Sequence, residues 1–339
     1  MKRGMLRKLL CTCVVTAAAF AAATISASAC TTIYVGGDLN EEGTPFVART
    51  EDYGSDYNKL WFISESGNWK QGDHYVGCPA YGPFEWDFTH DSYRFTYFTN
   101  DIYYDGTCPE CGKKADHYSY TEFGTNEKGV SVSATETLHG NAKVTEVDPY
   151  RDADWAKENG NARIGIEETD IPTIILAEAS SAREGVELLL DIYENYGCVY
   201  ASGVFICDKD EVWYIENCSG TQYVAIKLND NMIFLEPNMA VIGRVDLDDE
   251  NVIASKDLIA VAKKAGTFVG DEEKNIIDFR ASYARISEKM DQRMIDGLNY
   301  LNAAYKYDSD ALVADNTKFT ISNLDANDKL VALYTNIKA

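Results

Sequence analysis

Ala27-Ser28-Ala29-Cys30-Thr31-Thr32-Ile33-Tyr34-Val35-Gly36 joins two different kinds of chain. Before Cys30 the sequence reads as an export signal. Lys2, Arg3, Arg7 and Lys8 make a basic start, Leu9 to Ile25 is an apolar run, and Ala27-Ser28-Ala29 is a small-x-small cleavage site. From Thr31 onward, β-branched and aromatic residues predict a strand. Cleavage after Ala29 makes Cys30 the first residue, so a thiol and a free α-amine share one residue. A free thiol has a pKa of about 8.5 and an α-amine about 7.7–8.0. Near neutral pH part of that amine is unprotonated and can take the thiol proton, replacing the histidine of a conventional cysteine hydrolase. The four histidines, His74, His90, His117 and His139, sit in no recognisable catalytic-cysteine context. Two other readings of Cys30 stay open at this point. It could be the lipid-attachment cysteine of an exported lipoprotein, although Ala27 stands where such signals usually carry Leu, or it could be a structural cysteine.

The expected organisation is a signal over 1–29 and one large domain over 30–339, secreted or at the surface of a bacterial cell. Loss of the signal removes four basic residues and takes the formal charge from −23 to −27. That balance excludes nucleic acid as a partner, because no cluster of Lys and Arg is available to displace counterions from phosphates. No other stretch approaches the roughly 18 apolar residues of a membrane span. The 22 tyrosines argue for a packed chain rather than a disordered acidic one.

Seven cysteines follow the cleavage site: Cys30, Cys78, Cys108, Cys111, Cys198, Cys207 and Cys218. An odd number in an exported protein points to one free thiol. Cys108-Pro109-Glu110-Cys111 is a C-x₂-C knuckle that could form a disulfide, within itself or to Cys78, or a structural zinc site completed by Cys78 with His74 or His117. For Cys198, Cys207 and Cys218, a cross-strand bridge and simple burial are both open.

Along the chain, Thr31 to Val35, Pro45 to Arg49 and Val130 to Ala134 read as strands, the last alternating with serines. Residues 64–123, rich in Tyr, Gly and Asp with poor periodicity, read as long ordered loops. A helix is expected at Ser181 to Asn195, capped by Ser181 with Glu184 and ended by Gly197. Strands follow at Gly203 to Cys207, Glu211 to Glu216, Tyr223 to Leu228 and Met232 to Leu235, then helices at Ala254 to Ala265 and Ile277 to Ala304. Such an order predicts sheets covered by helices, an α+β layered domain.

The run Cys30-Thr31-Thr32, followed by Ala48-Arg49-Thr50-Glu51-Asp52-Tyr53, resembles the dipeptidase family of N-terminal nucleophile hydrolases, cysteine peptidases of the lactobacillal dipeptidase A type. Thr125-Asn126-Glu127-Lys128-Gly129-Val130, Ser133-Ala134-Thr135-Glu136-Thr137, Glu211-Val212-Trp213-Tyr214-Ile215-Glu216 and Pro237-Asn238 continue the similarity to about Tyr305. The resemblance implies a four-layer αββα sandwich with Cys30 at the start of a central strand, small peptides as substrates, and no metal or organic cofactor. It implies catalytic roles for Cys30, Arg49, Asp52 and Asn126, and substrate-binding or oxyanion roles for Asn238 and Arg244. Asp52 would orient the α-amine, Arg49 would favour the thiolate, and Asn126 would donate to the oxyanion. Asn126 also reads as turn chemistry in Asn-Glu-Lys-Gly. The same nucleophile arrangement serves amidases of the bile-salt and penicillin acylase type, which is the alternative within enzymes. Family members commonly run longer, so a shortened C-terminal part is expected; homo-oligomerisation is left open.

Overall fold

The computed structural model describes residues 30–51, 59–77, 84–100, 121–135, 138–285, 292–301 and 330–331. In chain order the strands are β1 (Thr31–Val35), β2 (Phe46–Thr50), β3 (Lys59–Ser64), β4 (His74–Val76), β5 (Glu85–Asp87), β6 (Phe95–Asn100), β7 (Phe123–Asn126) and β8 (Ser131–Thr135). They continue with β9 (Ser202–Cys207), β10 (Val212–Asn217), β11 (Tyr223–Leu228), β12 (Ile233–Pro237), β13 (Arg244–Asp246), β14 (Val252–Ala254), β15 (Gly270–Asp271), β16 (Ile276–Asp278) and β17 (Leu330–Val331). The helices are α1 (Ala142–Val147), α2 (Ala153–Glu158), α3 (Ile171–Glu178), α4 (Ala182–Asn195), α5 (Leu258–Ala265), α6 (Phe279–Tyr283) and α7 (Gln292–Leu301).

Two sheets carry the molecule. The larger runs β14-β11-β10-β9-β8-β7-β6-β3, and the smaller runs β17-β12-β1-β2. In the larger sheet each side chain's face follows from the period of two along a strand. On β8, Val132 and Ala134 turn outward and pack with Ile174, Ile175, Leu189 and Val186 of α3 and α4. Its serines turn the other way, toward the smaller sheet. Strand β10 is buried on both faces: Trp213 and Ile215 meet the α3–α4 layer, while Tyr214 packs against Phe205 and Phe234 between the sheets. On the far side of the smaller sheet, α7 lies on β12, with Gly297 against Leu235 and Met294 fully buried. The layers are therefore helix, sheet, sheet, helix, the αββα arrangement expected.

Helix α4 starts and stops as its residues dictate. Ser181 accepts a hydrogen bond from the Glu184 N–H at 3.2 Å, and Gly197 ends the helix in the left-handed region at φ 76°. The Glu184 carboxylate reaches back to the N–H of Ser180 rather than that of Ser181.

Three expectations are corrected. The supposed loops of 64–123 contain the hairpin β4–β5 and the strand β6; β3 and β7 border them, and β3, β6 and β7 complete one flank of the larger sheet. Strands β3 and β6 carry aromatic residues on both faces and so lack the alternation that marks a half-buried strand. Helix α5 begins at Leu258, not Ala254, because Val252 to Ala254 pair with β11 as β14. The single helix over 277–304 is instead β16, α6 and α7: Asp278 caps α6, and beyond it Ala284 bridges to Gly140 while Arg285 N–H donates to His139. Helix α3 was missed altogether. It is apolar all round and wholly buried, and a short run of that kind has no helical stripe to read.

Candidate active site

Cys30 stands immediately before β1, the strand between β12 and β2. Thr31 pairs with Thr50 on one side and Pro237 on the other. Continuing the β1–β2 register by one residue sets Glu51 opposite Cys30. Directly opposed residues on one face have Cβ atoms about 4.5–5.5 Å apart, so the backbone register brings Glu51 to Cys30.

Arg49 comes from the neighbouring strand, where it pairs with Thr32. Its Nη2 lies 3.6 Å from the Cys30 Sγ. Its Nη1 crosses to the larger sheet and donates to the carbonyls of Ala134 at 2.8 Å and Glu122 at 3.3 Å, and to Ser133 Oγ at 3.4 Å. A guanidinium held by fixed acceptors cannot swing away, so its charge stays at the sulfur, where it favours the thiolate. On the other side, Arg293 of α7 donates from Nη1 to the Cys30 carbonyl at 2.6 Å and to Thr31 Oγ1 at 3.1 Å. Arginines from two layers thus hold the start of β1. Arg293 escaped the sequence reading, since an arginine in the first turn of an amphipathic helix carries no signal of its own.

Asn238 follows Pro237 at the end of β12 with φ 24°, a left-handed backbone that costs a non-glycine residue on the order of 1 kcal/mol or more. Its Oδ1 is buried without a hydrogen-bond partner among the described residues. The turn after it is anchored from the larger sheet. Glu216 accepts from the N–H groups of Val241 at 2.6 Å and Ile242 at 3.2 Å, and from the Tyr214 hydroxyl at 3.0 Å. Burial, with Glu236 nearby, pushes the Glu216 carboxyl up to about 8 against the opposing pull of these donors.

Beside Arg49 lies a second charged group, also unforeseen. Lys59 of β3 bonds both carboxylate oxygens of Glu122 at 2.6 Å and also contacts Glu51. Burial first, and then the adjacent Glu51, push the Glu122 carboxyl well above its ordinary range. Glu51 is held low: burial opposes this, but hydrogen bonds from Glu122 and Lys59 outweigh it.

Asn126 is a correction. Its Nδ2 donates to the carbonyls of Leu176 at 2.9 Å and Ala179 at 2.7 Å, and its Oδ1 accepts from the N–H groups of Lys128 and Val130. Both amide hydrogens are committed, and the residue sits four positions along the chain from Glu122, about 13 Å at the usual strand rise. It ties the β7–β8 turn to α3, and its amide keeps no hydrogen for the oxyanion role expected of it. Arg244 is exposed on β13, which pairs with β16 in a separate small sheet, and lies near the Asp278 carboxylate. Asp52, Cys78, Cys108, Cys111 and His117 lie outside the described residues. His74 bonds Asp87 at 2.7 Å across the β4–β5 hairpin, and no group of three or more His, Cys, Asp or Glu that could hold a metal ion occurs among the described residues. Cys198, Cys207 and Cys218 are free thiols, with Cys207 pushed up to about 11 by burial and Asp208.

The chain is 34% identical over 241 residues to "Probable dipeptidase B" of Streptococcus pyogenes serotype M3, covering 71% of this chain and 43% of that protein. It is 30% identical over 262 residues to "Probable dipeptidase" of Salmonella dublin, covering 76% and 53%. The chain therefore spans about half the length of the curated relatives it matches. Among solved structures, penicillin V acylase from Agrobacterium tumefaciens aligns with a TM-score of 0.34 at 16% identity, over 55% of this chain and 46% of that one. The model of peptidase family C69 matches residues 29–328, and the chain belongs to that family.

Proposed function

We propose that this protein is an exported bacterial cysteine dipeptidase in which Cys30, freed as the N-terminal residue, is the nucleophile. The observation that carries the reading is the Arg49 guanidinium 3.6 Å from the Cys30 sulfur, at a cysteine directly preceded by the small-x-small triplet Ala27-Ser28-Ala29. The naming of relatives as probable dipeptidases supports the choice of substrate.

In the proposed reaction the α-amine takes the thiol proton and Sγ bonds to the peptide carbonyl carbon. Asn238, just past the end of β12, donates to the oxyanion, and Asp52 orients the α-amine. As the tetrahedral intermediate collapses, the C–N bond breaks and the α-ammonium hands its proton to the leaving amine. Water then adds to the thioester and gives a proton to the α-amine. The S–C bond breaks, the α-ammonium returns its proton to the sulfur, and the free acid is released.

The test is the intact mass and N-terminal sequence of the exported protein, with Cys30→Ala assayed on a dipeptide panel. The expected result is a free Cys30 terminus and loss of at least about 10⁴-fold in turnover in the variant. A lipidated or uncleaved Cys30, or full activity in Cys30→Ala, overturns the reading.

A further inference from the structure

Between β2 and the larger sheet lies a cavity of about 730 Å³ that no step of the chemistry above uses. Its roof is the inward face of β2, formed by Val47, Arg49 and Glu51, and its floor includes Phe98, Phe123 and Phe205. The floor rings differ in what covers them. Phe205 packs under Phe234, whereas Phe98 and Phe123, stacked at 5.7 Å, keep 36% and 41% of their surface accessible. An accessible aromatic pair on the inward face of a sheet is a surface ready to take an apolar ring or chain.

The charged end of the cavity is next to the nucleophile. In a dipeptide attacked at its carbonyl, the α-ammonium is attached one carbon away, so the group that reads it must adjoin the sulfur. Glu51 is the cross-strand neighbour of Cys30, and Glu122 reaches the same end through Lys59. The side chain on that same α-carbon then points along the roof toward Phe98 and Phe123.

Resting on the reading of Cys30 as nucleophile, we propose that this cavity is the subsite for the first residue of the substrate, with Glu51 and Glu122 receiving its free α-ammonium and Phe98 and Phe123 its large apolar side chain. The substrate class is then dipeptides with an unblocked amine and an aromatic or bulky aliphatic first residue. Glu122, buried and pushed up by Glu51, gives up its proton when the second cation arrives, so the ammonium enters without leaving an unpaired buried charge.

Phenylalanyl-glycine, N-acetyl-phenylalanyl-glycine and alanyl-glycine distinguish the parts. The mature protein should prefer the free over the acetylated substrate by about 100-fold or more in kcat/KM, since a site built for a polar group rejects its blocked analogue. Glu51→Gln and Glu122→Gln should each erode that ratio at least about tenfold, chiefly through KM. Phe98→Ala, at a partly exposed position, should lower the preference for phenylalanyl over alanyl substrate and leave the free-over-acetyl ratio intact. Equal rates on free and acetylated substrates, or ratios unmoved by all three variants, overturn the subsite. If no dipeptide is hydrolysed, the proposed activity fails by itself, and calorimetry with Cys30→Ala still decides the subsite. Tighter binding of phenylalanyl-glycine than of its acetylated form upholds it, and equal or absent binding overturns it.

Discussion

Asn238 spends conformational energy to stand where it does: a non-glycine residue at φ 24° with a buried carbonyl oxygen unmatched among the described residues, one residue beyond Pro237, the partner of Thr31. Such strain persists only when neighbouring bonds hold it, and here Glu216 grips the two backbone N–H groups just beyond. Asn238→Ala is expected to lower kcat by about 10²–10³ with little change in melting temperature, as for loss of one oxyanion donor; steady-state kinetics and a melt check both halves. Glu216 makes the support pH-dependent. Its carboxyl sits at about 8 in the folded protein against an ordinary 4.5. The folded state therefore holds a proton that the unfolded chain releases between those values. That contribution is full below about pH 4.5 and is lost as pH rises toward 8. The melting temperature of Glu216→Gln, which cannot titrate, should vary less over that interval than that of the wild type.

At the scale of elements, Asn126 joins a hairpin to a helix. Its four hydrogen bonds close the β7–β8 turn, where Gly129 takes φ 86°, and tie that turn to the C-terminal end of α3. Asn126→Ala leaves two carbonyls and two N–H groups without partners. Each buried unmade bond costs about 1–3 kcal/mol, and water relieves some of them at the turn. The expected loss is about 3 kcal/mol in urea denaturation, with kcat/KM of the folded protein unchanged. A fall in kcat at intact stability would instead return Asn126 to the chemistry. The turn itself was legible in Asn-Glu-Lys-Gly. The amide's destination was not, because α3 begins 45 residues later and has no stripe in the sequence to announce it.

The whole molecule sets the distance between the two sheets, and with it the reach of Arg49 from β2 to the carbonyls of Ala134 and Glu122. Phe234 is fully buried in that interlayer, its ring 4.8 Å from Tyr214 and 6.1 Å from Phe205. Phe234→Ala should cost about 3–5 kcal/mol in denaturant unfolding. Because β12 adjoins the strand of Cys30, a collapse of the sheets into the space should also disturb the Arg49–sulfur contact. Slower alkylation of Cys30 by iodoacetamide at pH 7 would report that.

Local chemistry was enough for much of this protein. The strand after Cys30, the run of strands from Gly203 to Leu235, the capped helix at Ser181 and the motif holding Arg49 depend on side chains adjacent in sequence, so periodicity and capping reveal them. Tertiary structure alone decided which charges meet. Lys59 and Glu122 are 63 residues apart, and Arg293 and Cys30 are 263 apart. No local preference encodes such pairs; they arise when two sheets and an outer helix stack to bury their apolar faces. The same stacking turned the Asn126 amide onto α3, since the sheet face a strand presents, not sequence distance, determines where a side chain goes.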